Sequence, residues 1–213
     1  MVLLYVFLVI VAAAAVIVIP SIRVIGPTQV GLVMKRVSVR KLSEDSPVAF
    51  AGEAGYQAEL LMPGVRWKFW GLYRVDKYPW VQVPAGEIGV VISQLGQPLP
   101  IGAKSAVYKA EFENFTDLGA FMEHGGQKGV QRPVLPPGTL IPIHPVAFLV
   151  VTKNKIYGLP ISQDIKEAAR LSGELSCAHF GLEPEQLNVV RIQPRAREIG
   201  RDIVDMVGIV TVY

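Results

Sequence analysis

The chain of 213 residues is poor in cysteine and in charge. Its single cysteine, Cys177, excludes an internal disulfide framework and a cysteine-rich zinc site. Charged residues make up 18% of the chain, below the roughly 25% that is typical of soluble domains, and the net charge of +3 is too small to indicate nucleic-acid binding. Hydrophobic residues make up 51%, and the mean hydropathy is +0.37. This composition excludes disorder as the dominant state and indicates a membrane segment.

The first 22 residues carry no charged side chain. An apolar run extends from Val2 to Ile19, and Pro20 ends it. As a helix this run is about 27 Å long, close to the hydrocarbon thickness of about 30 Å. We therefore predict a transmembrane anchor over residues 1–22. A cleaved signal peptide is the alternative, but the run lacks a basic amino-terminal region and exceeds the usual length of such peptides.

Flanking charge predicts the orientation of this anchor. Five basic residues and no acidic residue lie between Arg23 and Lys41. The positive-inside rule therefore places the body of the chain in the cytoplasm of a single-pass membrane protein. These side chains would then face anionic headgroups. The alternative is that they are ordinary solvated strand residues, and the opposite membrane side stays open.

The body contains an internal repeat. Residues 55–64 and 129–138 both fit G-x-Q-x-x-Φ-L-x-P-G, where Φ is apolar. A shorter apolar element with a central glycine precedes each copy, and a third example of it lies at 206–210. We therefore divide the chain into an anchor (1–22), a first β module (23–82), a second α+β module (83–187) and the start of a third module (188–213).

Short alternating apolar segments around Pro-Gly turns predict strands. The predicted strands are Val30–Leu32, Val65–Phe69, Val81–Val83, Ile88–Ile92 and Leu140–Ile143. Two helices are predicted, both in the second module. One covers Asp117–His124, and a longer one covers Asp164–Phe180 with a capping box at Asp164 and Glu167. The predicted fold class is α+β, with mainly β modules after the apolar helix.

An apolar anchor followed by Gly26–Val33 and then by Leu61–Trp67 resembles the entry to the band-7, or SPFH, family, which includes stomatin, prohibitin and flotillin. The tandem pattern is most similar to long bacterial flotillin-like proteins. The resemblance implies SPFH-like modules and a large homo- or hetero-oligomer. This oligomer would organise a membrane patch, with a membrane protease or another integral protein as client. The chain lacks the long heptad-rich helix of such proteins, so we expect it to be an amino-terminal portion.

The sequence offers no catalytic constellation. His124, His144 and His179 have no metal-ligand spacing, and Gly102-Ala103-Lys104-Ser105 departs from the phosphate-binding G-K-[ST] pattern. The arginines at 191, 195, 197 and 201 are mixed with acidic residues and lack interleaved aromatics, which argues against nucleic-acid binding. We predict no enzymatic activity, no cofactor and no metal.

Aromatic residues concentrate after the first Pro-Gly turn. Tryptophan and tyrosine are enriched at membrane–water boundaries, so this segment is predicted to lie against the headgroup layer. The predicted membrane-contact residues are Arg23, Trp67, Trp70, Tyr73 and Trp80. The alternative is that these rings fill the small core of the first module.

The predicted function is a membrane-anchored scaffold that oligomerises into a ring or cage. The leading alternative is a monomeric membrane-tethered binding module for a peptide, a lipid or a partner protein, which could use exposed sheet edges.

Overall fold

The computed structural model describes residues 2–42, 46–190, 192, 195–196 and 203–204. The predicted third apolar element at 206–210 lies outside these residues. The helices are α1 (Val2–Val18), α2 (Leu118–Glu123) and α3 (Gln163–Ser172). The strands are β1 (Ile22–Ile25), β2 (Gln29–Lys35), β3 (Val48–Ala49), β4 (Gly55–Leu61), β5 (Gly64–Trp67), β6 (Tyr73–Pro79), β7 (Val81–Gln82), β8 (Val90–Ser93), β9 (Gly129–Val130), β10 (Leu140–Ile141), β11 (Phe148–Val151), β12 (Ile156–Tyr157), β13 (Arg195–Ala196) and β14 (Ile203–Val204).

Two four-stranded sheets form the body. Their strand orders are β3-β4-β2-β6 and β12-β11-β8-β9, and two-stranded pairs form between β1 and β5, β7 and β10, and β13 and β14. Every pair is antiparallel except β3 with β4. The chain is thus a mixed α+β protein with an amino-terminal apolar helix and several small sheets, which confirms the predicted class at this level.

Strand β2 is the central strand of the first sheet. It pairs with β4 on one side and with β6 on the other, and residues 30–33 are all buried. Leu32 belongs to the main hydrophobic core, whereas Val33 belongs to a smaller cluster with Ile25 and Leu61. A strand with both faces covered reads as a continuous apolar run, as residues 30–34 do.

Two buried glycines occupy matching places in the two sheets. A Cβ on Gly31 would lie 2.9 Å from Ile25, 3.1 Å from Leu61 and 3.1 Å from Val75. A Cβ on Gly89 would lie 3.0 Å from Val83, 3.3 Å from Leu135 and 3.3 Å from Val150. In each case a residue at or just after a preceding strand, the leucine of the repeated motif and a residue of another strand approach the same backbone. A side chain at either place would force these neighbours to shift, which favours glycine there.

The repeated glutamine also has one geometry in both copies of the motif. Gln57 Nε2 donates to the carbonyl oxygens of Glu53 and Gly55, each at 2.9 Å. Gln131 Nε2 donates to the carbonyl oxygens of Gln127 and Gly129, at 2.7 and 2.9 Å. The glutamine side chain therefore closes a turn over the residues four and two positions before it. The motif is a structural device as well as a sequence pattern.

The main hydrophobic core draws residues from both halves of the body. Its centre is a group of phenylalanine rings, with centroids 4.8 Å apart for Phe112 and Phe121 and 5.0 Å apart for Phe121 and Phe148. Leu32 and Val48 belong to the same cluster. The two sheets therefore share one continuous core.

The first predicted helix is confirmed, and the second is shorter than predicted. The side chain of Asp117 accepts a hydrogen bond from Ala120 N at 3.0 Å, which caps α2. In contrast, α3 begins after Ser162 without a side-chain cap and ends at Gly173, whose φ is +78°. A separate 3₁₀ turn follows at Cys177–Phe180. The helix predicted over Asp164–Phe180 is therefore correct as far as Ser172 and wrong beyond it, because the left-handed Gly173 ends the helix. The predicted capping box is wrong, because the helix begins at Gln163 and Asp164 lies within its first turn.

Candidate membrane-facing surface

Helix α1 presents its apolar side chains to the outside. The 18 residues Leu4–Ser21 form the one helix in the described part of the chain that is long and apolar enough to cross a membrane, and 6% of this segment is buried in the protein. A signal sequence near the amino terminus passes the same test of length and composition. In water, the exposure of this much apolar surface on one helix is unfavourable.

The buried residue Ser21 joins α1 to the body. Its Oγ donates to Ile17 O at 2.6 Å and accepts from Trp70 N at 3.3 Å. Its carbonyl oxygen accepts from Lys68 N at 2.9 Å. Ser21 is completely buried. Only the 3₁₀ turn Ile19–Ser21 separates α1 from β1, so no flexible linker lies between the apolar helix and the first strand.

Strands β1 and β5 form an exposed two-stranded ribbon next to this junction. Ile22 lies opposite Trp67, and Val24 lies opposite Val65. Directly opposite residues share one face of a ribbon, so these four apolar side chains form a single face. They are 43%, 59%, 58% and 71% exposed, in the order named. Arg23 lies opposite Arg66 on the other face, and both are exposed.

The predicted membrane-contact residues fall into two groups. Arg23, Trp67 and Trp70 are exposed and lie close to the end of α1, with Trp70 in the loop that Ser21 holds. Tyr73 is half-buried and packs against the cluster of Ile25, Val33 and Leu61. Trp80 is half-buried, its Nε1 is buried without a hydrogen-bond partner, and its backbone N bonds to Thr28 O beyond the far end of β1.

A buried histidine links the two halves of the body. His144 Nδ1 accepts hydrogen bonds from the backbone N–H groups of Val146 and Ala147, at 3.2 and 3.1 Å. The proton of the neutral ring therefore sits on Nε2, which lies 3.0 Å from Gln57 O and donates to it. Burial lowers the pKa of His144 to about 4 from its ordinary value of 6.5, although the hydrogen bond to Gln57 opposes this shift.

A cleft of about 860 Å³ opens beside this histidine, between β4 and the start of α2. Its walls are both polar and apolar, and three carboxylates and one ammonium group lie along it, namely those of Glu59, Glu113, Asp117 and Lys68. Glu113, Asn114 and Phe115 all have positive φ values, between 46° and 67°, which is unusual for residues other than glycine. The volume falls within the range of small-ligand sites.

Sequence reasoning missed the cleft and the histidine link, because each joins segments far apart in the chain. His144 and Gln57 are 87 positions apart. The weak sequence signal for the link was a histidine within the apolar segment 140–151, where a polar side chain needs a partner. Within the described residues, no group of three or more histidine, cysteine, aspartate or glutamate side chains could hold a metal ion.

Comparison of the chain with protein-family models, with curated proteins and with solved structures finds no match.

Proposed function

We propose that the chain is a membrane-anchored scaffold, similar to band-7/SPFH proteins of the flotillin type, that assembles into a ring or cage. In this proposal α1 stays in the bilayer, and the sheets are tandem SPFH-like modules that pack against copies of themselves. The assembly organises a membrane patch and its client proteins, among them a membrane protease or another integral protein. In this proposal the chain has no enzymatic activity.

The observation that carries the proposal is the junction at Ser21. A cleaved leader needs an accessible, extended segment at its end. Here Ser21 is fully buried, its Oγ donates to Ile17 O, and its Oγ and carbonyl oxygen accept hydrogen bonds from the backbone of Trp70 and Lys68. The exposed apolar face of the β1–β5 ribbon follows directly after the apolar surface of α1 along the chain. Both features favour a helix that is kept as part of the folded protein.

The repeated geometry supports the assembly part of the proposal. Gly31 and Gly89, and likewise Gln57 and Gln131, make the same kinds of contact in the two sheets. Repeated units bury surface against their neighbours, and similar units in other copies can extend that packing. Among the described residues β6 pairs with β2 alone, so we expect its other edge to accept a strand of a neighbouring copy.

A second candidate function rests on the cleft. A monomeric membrane-tethered binding module would use the concave site between β4 and α2, with its polar and apolar walls, to hold a ligand or partner segment. The three carboxylates at this site exceed its single ammonium group, so such a ligand would carry positive charge.

Particle mass distinguishes the two candidates. The full chain is expressed in a membrane, extracted with a native-nanodisc polymer and measured by mass photometry. The scaffold predicts particles that hold many copies of the chain. The control is the double variant Val9→Lys with Ala13→Lys, because charges within the bilayer prevent stable insertion of α1. Wild-type particles that hold a single copy would reject the scaffold and favour the binding module. Wild-type protein that loses α1 and leaves the membrane would reject both.

A further inference from the structure

The depth of the ribbon in a bilayer follows from the length of the elements before it. Helix α1 and the 3₁₀ turn Ile19–Ser21 together span about 32 Å, close to the hydrocarbon thickness of about 30 Å. Arg23 lies two residues beyond this point, within about 7 Å at the rise of a strand. The headgroup layer on each side of the hydrocarbon is also about 7 Å thick. Arg23 therefore reaches the level of the lipid phosphates, whatever the tilt of the ribbon.

The register of the ribbon brings a second arginine to the same level. Arg66 is the direct cross-strand partner of Arg23. Arg66 Nε donates to Met62 O at 3.1 Å and its Nη2 donates to Pro63 O at 3.4 Å, so backbone contacts hold its guanidinium group. The N–H groups of Arg66 outside these two bonds, and those of Arg23, are able to donate to an acceptor.

Among the residues that the structure describes, no carboxylate forms an ion pair with Arg23 or Arg66. The ion pairs among the described residues are Lys68 with Glu59 and Arg74 with Asp76. Like charges directly opposite in a ribbon destabilise it unless an anion lies between them. A phosphate group carries negative charge and matches the forked geometry of guanidinium groups.

We propose that Arg23 and Arg66 bind the phosphate of an anionic phospholipid headgroup, while the face of Ile22, Val24, Val65 and Trp67 sits at the edge of the hydrocarbon. This inference rests on the proposed function to the extent that α1 must stay in the bilayer. Zwitterionic lipids present the same phosphate with an attached cation, so the pair selects lipids with net negative charge.

Energy transfer from tryptophan to labelled lipid tests the selectivity. The full chain keeps Trp67 as its only tryptophan through Trp70→Phe and Trp80→Phe, and it is reconstituted in phosphatidylcholine vesicles. Trace lipids with a pyrene-labelled acyl chain carry either a phosphatidylglycerol or a phosphatidylcholine headgroup. We expect the anionic label to be enriched around Trp67 by at least about five-fold, the effect of one basic residue at a membrane surface.

Two variants and one salt series decide the outcome. Arg23→Gln with Arg66→Gln should bring the two labels to equal transfer. The matched control, Lys166→Gln with Arg170→Gln, removes two neighbouring exposed cations from α3 and should keep the enrichment. Raising the salt from about 0.01 M to about 1 M shortens the Debye length from about 30 Å to about 3 Å and should reduce the enrichment.

The result that overturns the inference is a wild-type protein that stays with the vesicles on flotation and transfers equally to both labels. Equal enrichment in the wild type and in the Arg23/Arg66 variant overturns it as well. A protein that does not float with the vesicles rejects the membrane anchor itself, and the lipid site with it. Flotation thus separates failure of the anchor from failure of the lipid site.

Discussion

At the scale of single residues, His144 shows how a polar group can be stable in a hydrophobic core. Its ring is 1% exposed and makes three hydrogen bonds to backbone groups, so each ring nitrogen has a partner only in the neutral Nε2–H form. Protonation of Nδ1 would set its new N–H against the N–H groups of Val146 and Ala147. The neutral ring is therefore part of the native structure.

We expect the protein to lose stability in acid through this residue. The unfolded chain takes up a proton on His144 near pH 6.5, whereas the folded chain does so near pH 4. The unfolded state thus binds more protons between these values. The stability contribution is fully present above about pH 6.5 and is lost as the pH falls towards 4, by about 3 kcal/mol in total.

Chemical denaturation of the detergent-solubilised chain at several pH values measures this effect. His144→Gln should be less stable at pH 7 and should flatten the slope between pH 6.5 and 4, whereas the exposed His124→Gln should keep it. An unchanged slope in the His144 variant would show that other groups cause the acid sensitivity.

At the scale of elements, a helix was predicted correctly where its sequence signal lies within a few residues of it. The apolar run of α1 and the Asp117 cap of α2 each lie within a few residues of the element they define, and both helices form where predicted. The apolar stripe after Ser162 continues with helical spacing past residue 173, which predicted one long helix. The helix nevertheless ends at Gly173. Leu171 is 86% exposed, so the apolar stripe is not packed against the core at this end and does little to stabilise helix beyond the glycine.

The strands show the same limit. The repeat correctly placed β5 and β10 next to the Pro-Gly turns and β2 at the first glycine-centred apolar element, and Gly64 and Gly138 take the positive φ values expected in those turns. The pairing of β1 with β5 was not predictable, because it depends on contacts between residues far apart in the chain, such as Arg23 and Arg66, which are 43 positions apart. The ribbon of β1 and β5, and the cleft next to His144, therefore became visible only in the structure.

The paired glycines provide a prediction about strands. Gly31→Ala and Gly89→Ala should each lower the free energy of unfolding by about 1–3 kcal/mol, because the new methyl group overpacks three neighbouring side chains. The effect should be larger at Gly31, where the approach is 2.9 Å against 3.0 Å at Gly89. Urea denaturation followed by circular dichroism gives both values.

Gly26→Ala is the matched control for these substitutions. Its added methyl group would meet only the flexible side chain of Gln29. We expect little loss of stability for this variant. Equal stability of all three variants would contradict the close approach seen at the two buried glycines.

At the scale of the whole molecule, the two sheets should unfold together. Leu32 in β2 is completely buried and shares a core cluster with Val91 and Phe148 of the second sheet. The hydrogen bond from His144 to Gln57 crosses between the same two halves. A shared core with a polar link favours a single cooperative transition over two independent ones.

Leu32→Ala tests this coupling, and it should cost about 2–5 kcal/mol. Hydrogen exchange should show the same loss of protection in β8 and β11 of the second sheet as in β2 and β6 of the first. The exposed Val37→Ala should change neither sheet. Loss of protection that stays within the first sheet would indicate that the halves unfold separately.

The bonds at Ser21 have a mechanical consequence. Hydrogen bonds on both sides of a three-residue turn fix this point. If α1 stays in the bilayer as proposed, the molecule therefore has no hinge between the membrane helix and the body. A transmembrane helix tilts when the thickness of its bilayer changes. In the proposed membrane-anchored state, a change in the tilt of α1 would rotate the sheets with it. The orientation of the body relative to the membrane would therefore change with the thickness of the surrounding bilayer.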